Sequence, residues 1–230
     1  MGKREAKKSQ QVLDTMVQNV EAFNSLLPKI EDDLTKQNII RSIILFSCSG
    51  IDAVVKQIIH ETLEMVIERD EGAQEQLKKF TERKLRDKSD LNYKFLSDLL
   101  IAKNARRLLI GMLVNELTFD SLQSSEQLYK VASYFNIKTQ DLLNEDERII
   151  LKNAFMTRNV IVHQMDVDFK ELDLKVIQHT EDEAQKFFVT IRKVAQNYID
   201  LVNGILDKPV TKDFAPMFSV EGGTLVIQEY

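Results

Sequence analysis

The stretch IDAVVKQIIHETLEMVI, Ile51 to Ile67, decides the fold class. Its apolar residues Ile51, Val54, Val55, Ile58, Ile59, Leu63, Val66 and Ile67 recur at threes and fours, the spacing of one helix face. The face is wide, so this helix belongs at the centre of a bundle, with neighbours on more than one side. The helical pattern reaches back to about Glu31 and forward to about Arg69. Ser47, Cys48, Ser49 and Gly50 in its middle allow either a close helix approach or a slight break. Upstream, Val12, Met16, Val20, Phe23 and Leu27 form one amphipathic stripe over about Ala6 to Leu27, closed by Pro28. Downstream, Gly72 to Ser89 reads as helical, charged and exposed, anchored only by Leu77, Phe80 and Leu85. Helical patterns resume over Tyr93–Leu100, Asn104–Leu117, Ser124–Phe135 and Thr139–Leu143. Asn144 with Glu147 caps a helix over about 145–163. Thr180 with Glu183 has capping-box spacing and opens a long last helix that Gly204 and Pro209 terminate.

The chain has 230 residues, of which 43% are hydrophobic and 29% charged, with only 7 Gly and 3 Pro. That balance favours helix over sheet, and the expected class is all-α. The organisation read from the chain is one helical domain over 1–209 followed by a tail over 210–230. In the tail, Val220 to Thr224 reads as a turn and Leu225, Val226 and Ile227 favour strand, which suggests a small hairpin or a strand added to a partner's. The single cysteine, Cys48, excludes an internal disulfide framework and a Cys-rich zinc site. It sits in an apolar run and reads as a small core residue, compatible with a reducing cytoplasm. The charged N-terminus has no secretory signal, and apolar runs such as Ile39–Phe46 fall short of the ~20 residues of a membrane span. No metal or cofactor is expected from any Cys/His pattern or glycine-rich loop.

Net charge is −5, which argues against a protein that coats nucleic acid nonspecifically. Local positive sites remain. Lys78, Lys79, Arg83, Lys84, Arg86 and Lys88 form one cluster, and Lys103, Arg106 and Arg107 a second. They read either as solvated helix faces or as guides for an RNA backbone.

The helix expected over 145–163 closes with Arg158, Asn159, Val160, Ile161, Val162 and His163. A plain core helix has no use for those three polar residues. Asn159 and His163 are i and i+4 and share a face. Arg158 lies roughly 140° around the helix from His163, and its long side chain is able to swing toward the same place. A guanidinium holds phosphate through paired hydrogen bonds, and a histidine passes protons near neutral pH. Together they are a minimal kit for cutting a phosphodiester without metal.

The hexapeptide RNVIVH resembles the Arg-x4–6-His signature of HEPN-superfamily ribonucleases, in which the residue after the arginine is often polar. The placement is similar too: the motif lies late in a helical chain, before a final long helix. The resemblance implies an HEPN-like helical bundle and a metal-independent endoribonuclease with Arg158, Asn159 and His163 as its catalytic residues. Attack by the RNA's own 2′-OH would leave a 2′,3′-cyclic phosphate and a 5′-OH. His163 would act as general base or acid, Arg158 would stabilise the phosphorane-like transition state, and Asn159 would bind a phosphate oxygen or hold His163. One histidine per chain leaves acid or base unfilled, and HEPN ribonucleases usually build a composite site across a homodimer. The family's frequent roles in toxin–antitoxin and antiviral defence imply an RNA substrate and an antitoxin or sensor protein as partner. Two other readings stand beside this one. One is a non-catalytic HEPN-like module binding a protein, such as a nucleotidyltransferase, or a nucleotide. The other is a helical adaptor in which the motif is accidental. Asp166 reads as an exposed loop acid or as an orienter of His163, His179 as an exposed residue before the Thr180 cap, and His60 as part of a polar face.

Overall fold

The computed structural model describes residues 5–86, 94, 97–99, 101–168, 175–210, 218–221 and 224–227. Among them run helices α1 (Lys7–Leu26), α2 (Asp33–Ile67), α3 (Glu71–Arg86), α4 (Ala105–Phe119), α5 (Ser125–Tyr134), α6 (Thr139–Leu142), α7 (Glu145–Gln164) and α8 (Glu181–Leu206). Two short antiparallel pairs accompany them: β1 (Val167–Asp168) with β2 (Lys175–Val176), and β3 (Phe218–Glu221) with β4 (Thr224–Ile227). The molecule is predominantly helical, as the periodicity requires. Half of the helix expected over Tyr93–Leu100 falls outside the described residues, and the described ones, 94 and 97–99, are helical.

α2 is the axis. Its 35 residues span roughly 50 Å at 1.5 Å per residue. All eight apolar residues of the Ile51–Ile67 face are fully buried. α1 and α8 pack along it, with α4 and α7 beside them. Gly50 does not break the helix. A Cβ there would fall 2.2 Å from Met16 Cγ, so the missing side chain is what admits α1. Among the described residues, α2 alone is apolar enough by length and composition to cross a membrane, with a mean hydropathy of 1.6 over its best window, half of which is buried inside the bundle.

Helix ends follow the capping residues. Asp32 accepts from the Thr35 amide at 2.7 Å and Asn104 from that of Arg107 at 2.9 Å. Asn144 and Glu147 close a full capping box at the start of α7. Pro28 terminates α1 through a single 3-10 turn, Leu27–Lys29. α8 passes Gly204 and stops at Leu206. α3 departs from its exposed, charged reading: Ala73, Leu77, Phe80 and Thr81 are buried, and this stripe docks the helix on α4 and α5. Tyr198 ties α8 to α5 by donating its hydroxyl to the Leu128 carbonyl, and burial pushes its phenol well above the ordinary range.

Candidate functional site: the outer face of the motif helix

α7 has an inner and an outer face. Leu151, Ala154, Phe155 and Ile161 are buried and define the inner one. By the helical period Arg158 stands in the middle of that inner face, half-buried, whereas Asn159 and His163 are exposed on the outer one. The arginine's head does not stay inside. Its Nη1 donates to Asn159 Oδ1 at 3.0 Å. Its Nε is buried and has no hydrogen-bond partner, nor does the guanidinium pair with a carboxylate, among the described residues. Its charge is felt by Cys48 on α2. Burial pushes that thiol up to about 12, against the pull of Arg158, and the thiol donates to the Ala154 carbonyl at 3.7 Å. Within one chain the structure therefore brings Arg158 and Asn159 together. His163 faces solvent at the last turn, with no hydrogen bond or ion pair among the described residues.

His163 shares its face with large apolar residues. Ile149 is 55% exposed and Met156 57%, and both lie with Asn159 and His163 along the outer stripe. Val162 and Met165 extend the exposed apolar surface at the C-terminal end.

The basic clusters lie elsewhere. Arg83 and Lys84 both pair with Glu116, the latter at 2.8 Å, and flank the Phe80 ring at 5.6 and 5.5 Å. Burial raises the Glu116 carboxyl, but the two cations outweigh it and hold the group below its ordinary value. Arg86 is exposed and pairs with Glu82. Lys78 is half-buried and Lys79 exposed on α3. Lys103 and Arg107 are exposed and Arg106 half-buried at the start of α4, and Lys88 lies outside the described residues. α7 packs mainly on α2, α5 and α8, so neither cluster sits on its principal neighbours.

Asp166 and His179 overturn their exposed readings. Met165 and Asp166 both adopt left-handed backbone, at φ 52° and 61°, which turns the chain sharply after α7. The turn drives Asp166 inward to 1% exposure. There its carboxylate accepts from Arg41 Nε at 2.6 Å and faces His179 Nε2 at 2.9 and 3.0 Å. His179 is itself buried, and its other ring nitrogen meets Glu183 Oε2 at 3.3 Å. Asp166 thus orients His179, not His163. The Thr180 hydroxyl caps α8 by accepting from the Glu183 amide at 3.1 Å, but the Glu183 carboxylate is committed to His179 and the box stays half-closed. Sequence spacing gave no sign of this network, because its members come from α2, the turn after α7 and the start of α8.

A cleft of about 640 Å³ opens between α7 and the first turns of α8. Asn153, Met156 and Thr157 line one side, and Thr180, Glu183 and Phe187 the other. Its lining stops one residue short of Arg158. Compared with protein-family models, curated proteins and solved structures, the chain matches none of them.

Proposed function

We propose that this chain is a metal-independent endoribonuclease of HEPN type, acting as a homodimer on RNA in the cytoplasm. The observation that supports this best is Arg158. It is a half-buried guanidinium held beside Asn159 on the motif helix, with a buried Nε that lacks a partner and no carboxylate to neutralise it among the described residues. A guanidinium with no carboxylate beside it has charge to share, and the non-bridging oxygens of a phosphodiester are its matching acceptors. His163 is exposed one turn from Asn159, where it can take the 2′-OH proton or give one to the 5′-oxygen. The second proton-transfer group comes from the second copy's His163. The exposed Ile149 and Met156, on the face that carries His163, are the apolar surface on which the two motif helices meet. A toxin or antiviral role, with an antitoxin or sensor protein as regulator, follows from the same resemblance.

A second reading has one observation in its favour. Arg158 and His163 point to different sides of α7 in a single chain, as in a binding module whose polar residues serve an interface. The two readings separate in one assay. Purified protein is incubated with total tRNA and an mRNA in chelator, beside Arg158→Ala and His163→Ala. The ribonuclease reading expects cleavage by wild type alone, leaving cyclic-phosphate ends, with helical content kept in both variants. A strict need for Mg²⁺ would rule out the 2′-OH route.

A further inference from the structure

We infer that the cleft between α7 and α8 seats the base of a nucleotide beside the cut phosphate, and that it selects bases carrying an exocyclic amine. This rests on the ribonuclease reading. Position comes first. Met156, on the wall of the cleft, lies two helical turns from His163 on the same face, about 10 Å along the axis. A strand whose cut phosphate lies at His163 and that runs along this face brings a neighbouring base to the cleft.

The chemistry of the lining then excludes a phosphate and favours a donor. Asp182 and Glu183 both border the cleft, and Lys186 offsets only one of the two charges. Ionised carboxylates accept hydrogen bonds and never donate them. The exocyclic amines of cytosine, adenine and guanine donate, whereas uracil and thymine carry none. The Asn153 amide supplies a donor and an acceptor for the remaining edge, and Met156 and Phe187 give the base an apolar wall.

What separates this from an ordinary charged surface is that Glu183 is held. Its Oε2 meets His179 Nδ1 at 3.3 Å, His179 Nε2 meets Asp166 at 2.9 Å, and Asp166 is fixed by Arg41 at 2.6 Å. Asp166 and His179 are both buried. Glu183 forgoes the capping box that its spacing offers and points along this chain of bonds instead. An acceptor fixed in advance loses less entropy when the base arrives. Glu183 is therefore the specificity residue, and His179 and Asp166 are positioning residues that act through it.

The test uses DNA hexamers of adenine, cytosine or thymine, which lack the 2′-OH and cannot be cut by this route. Binding is followed by amide chemical shifts of the full chain, and base preference in cleavage is read on matching RNA hexamers. The expected result is that the adenine and cytosine hexamers shift Asn153, Thr157 and Glu183, while thymine binds about tenfold more weakly. Glu183→Gln, whose amide donates as well as accepts, should erase that preference. His179→Gln should reduce it with Glu183 still in place, an effect that a merely structural histidine would not produce. Equal binding of all three hexamers, or shifts confined to residues outside the cleft, would overturn the inference. RNA cleavage that ignores base identity and is unchanged in Glu183→Gln would overturn it while leaving the ribonuclease standing. Selective binding without RNA cleavage would sink the ribonuclease and leave the base site.

Discussion

At the scale of single residues, two groups are defined by what surrounds them. Cys48 is a thiol whose titration is pushed up to about 12 by burial, against the pull of Arg158. An unfolded cysteine ionises near pH 8.5. The native state therefore keeps its proton where the unfolded state loses it, and this contribution to stability is full below about pH 8.5 and declines as pH rises above it. Native protein should not react with a thiol-specific reagent at pH 8, and denatured protein should react with one equivalent; rapid native labelling would contradict the burial. Asp166 is instead a buried carboxyl group held by two partners, Arg41 and His179. Asp166→Ala takes the shared carboxylate from the part-buried Arg41 and the buried His179 and should cost about 3–5 kcal/mol in denaturant unfolding. A loss below 1 kcal/mol would mean the network contributes little. The helix that carries Arg158, Asn159 and His163 was legible from its capping residues and spacing, but not that Arg158 would reach Asn159 while His163 stands apart. Asp166 and His179 were not, because burial of a polar residue in a turn depends on a left-handed backbone that only the three-dimensional structure reveals.

Among the elements, helix identity was legible almost throughout, since apolar spacing, proline and capping residues act locally. α2 shows this well: its wide apolar face called for neighbours on several sides, and α1, α4, α7 and α8 supply them. The choice between a break and a close approach at Ser47–Gly50 was open, because both use the same small residues. Contact with Met16 decides it. Gly50→Ala should destabilise by about 1–3 kcal/mol through overpacking, and Met16→Ala in the same chain should recover part of that. No recovery would place the cost in the α2 backbone. α3 was misjudged because its mean composition is charged. The few apolar residues at 73, 77 and 80 were enough to dock it, and pairing of Arg83 and Lys84 to Glu116 leaves those two cations less able to bind a phosphate chain.

For the whole molecule, the account stands on a second copy. The motif of a single chain offers one histidine and an arginine rooted on the inner face of α7, and the proposed partner helix would meet the exposed Ile149 and Met156. Ile149→Glu, on the same face but outside the cleft, should convert the proposed dimer to a monomer in analytical ultracentrifugation and reduce RNA cleavage by at least about tenfold, with helical content unchanged. A monomeric wild type that still cleaves would remove the composite site from the mechanism. The most direct test of the central claim is cleavage of RNA in chelator by wild type and by His163→Ala, with the product ends identified. The account predicts 2′,3′-cyclic phosphates and 5′-hydroxyls from wild type and none from the variant. Equal cleavage by both proteins, or wild-type products ending in 3′-hydroxyls, would contradict it.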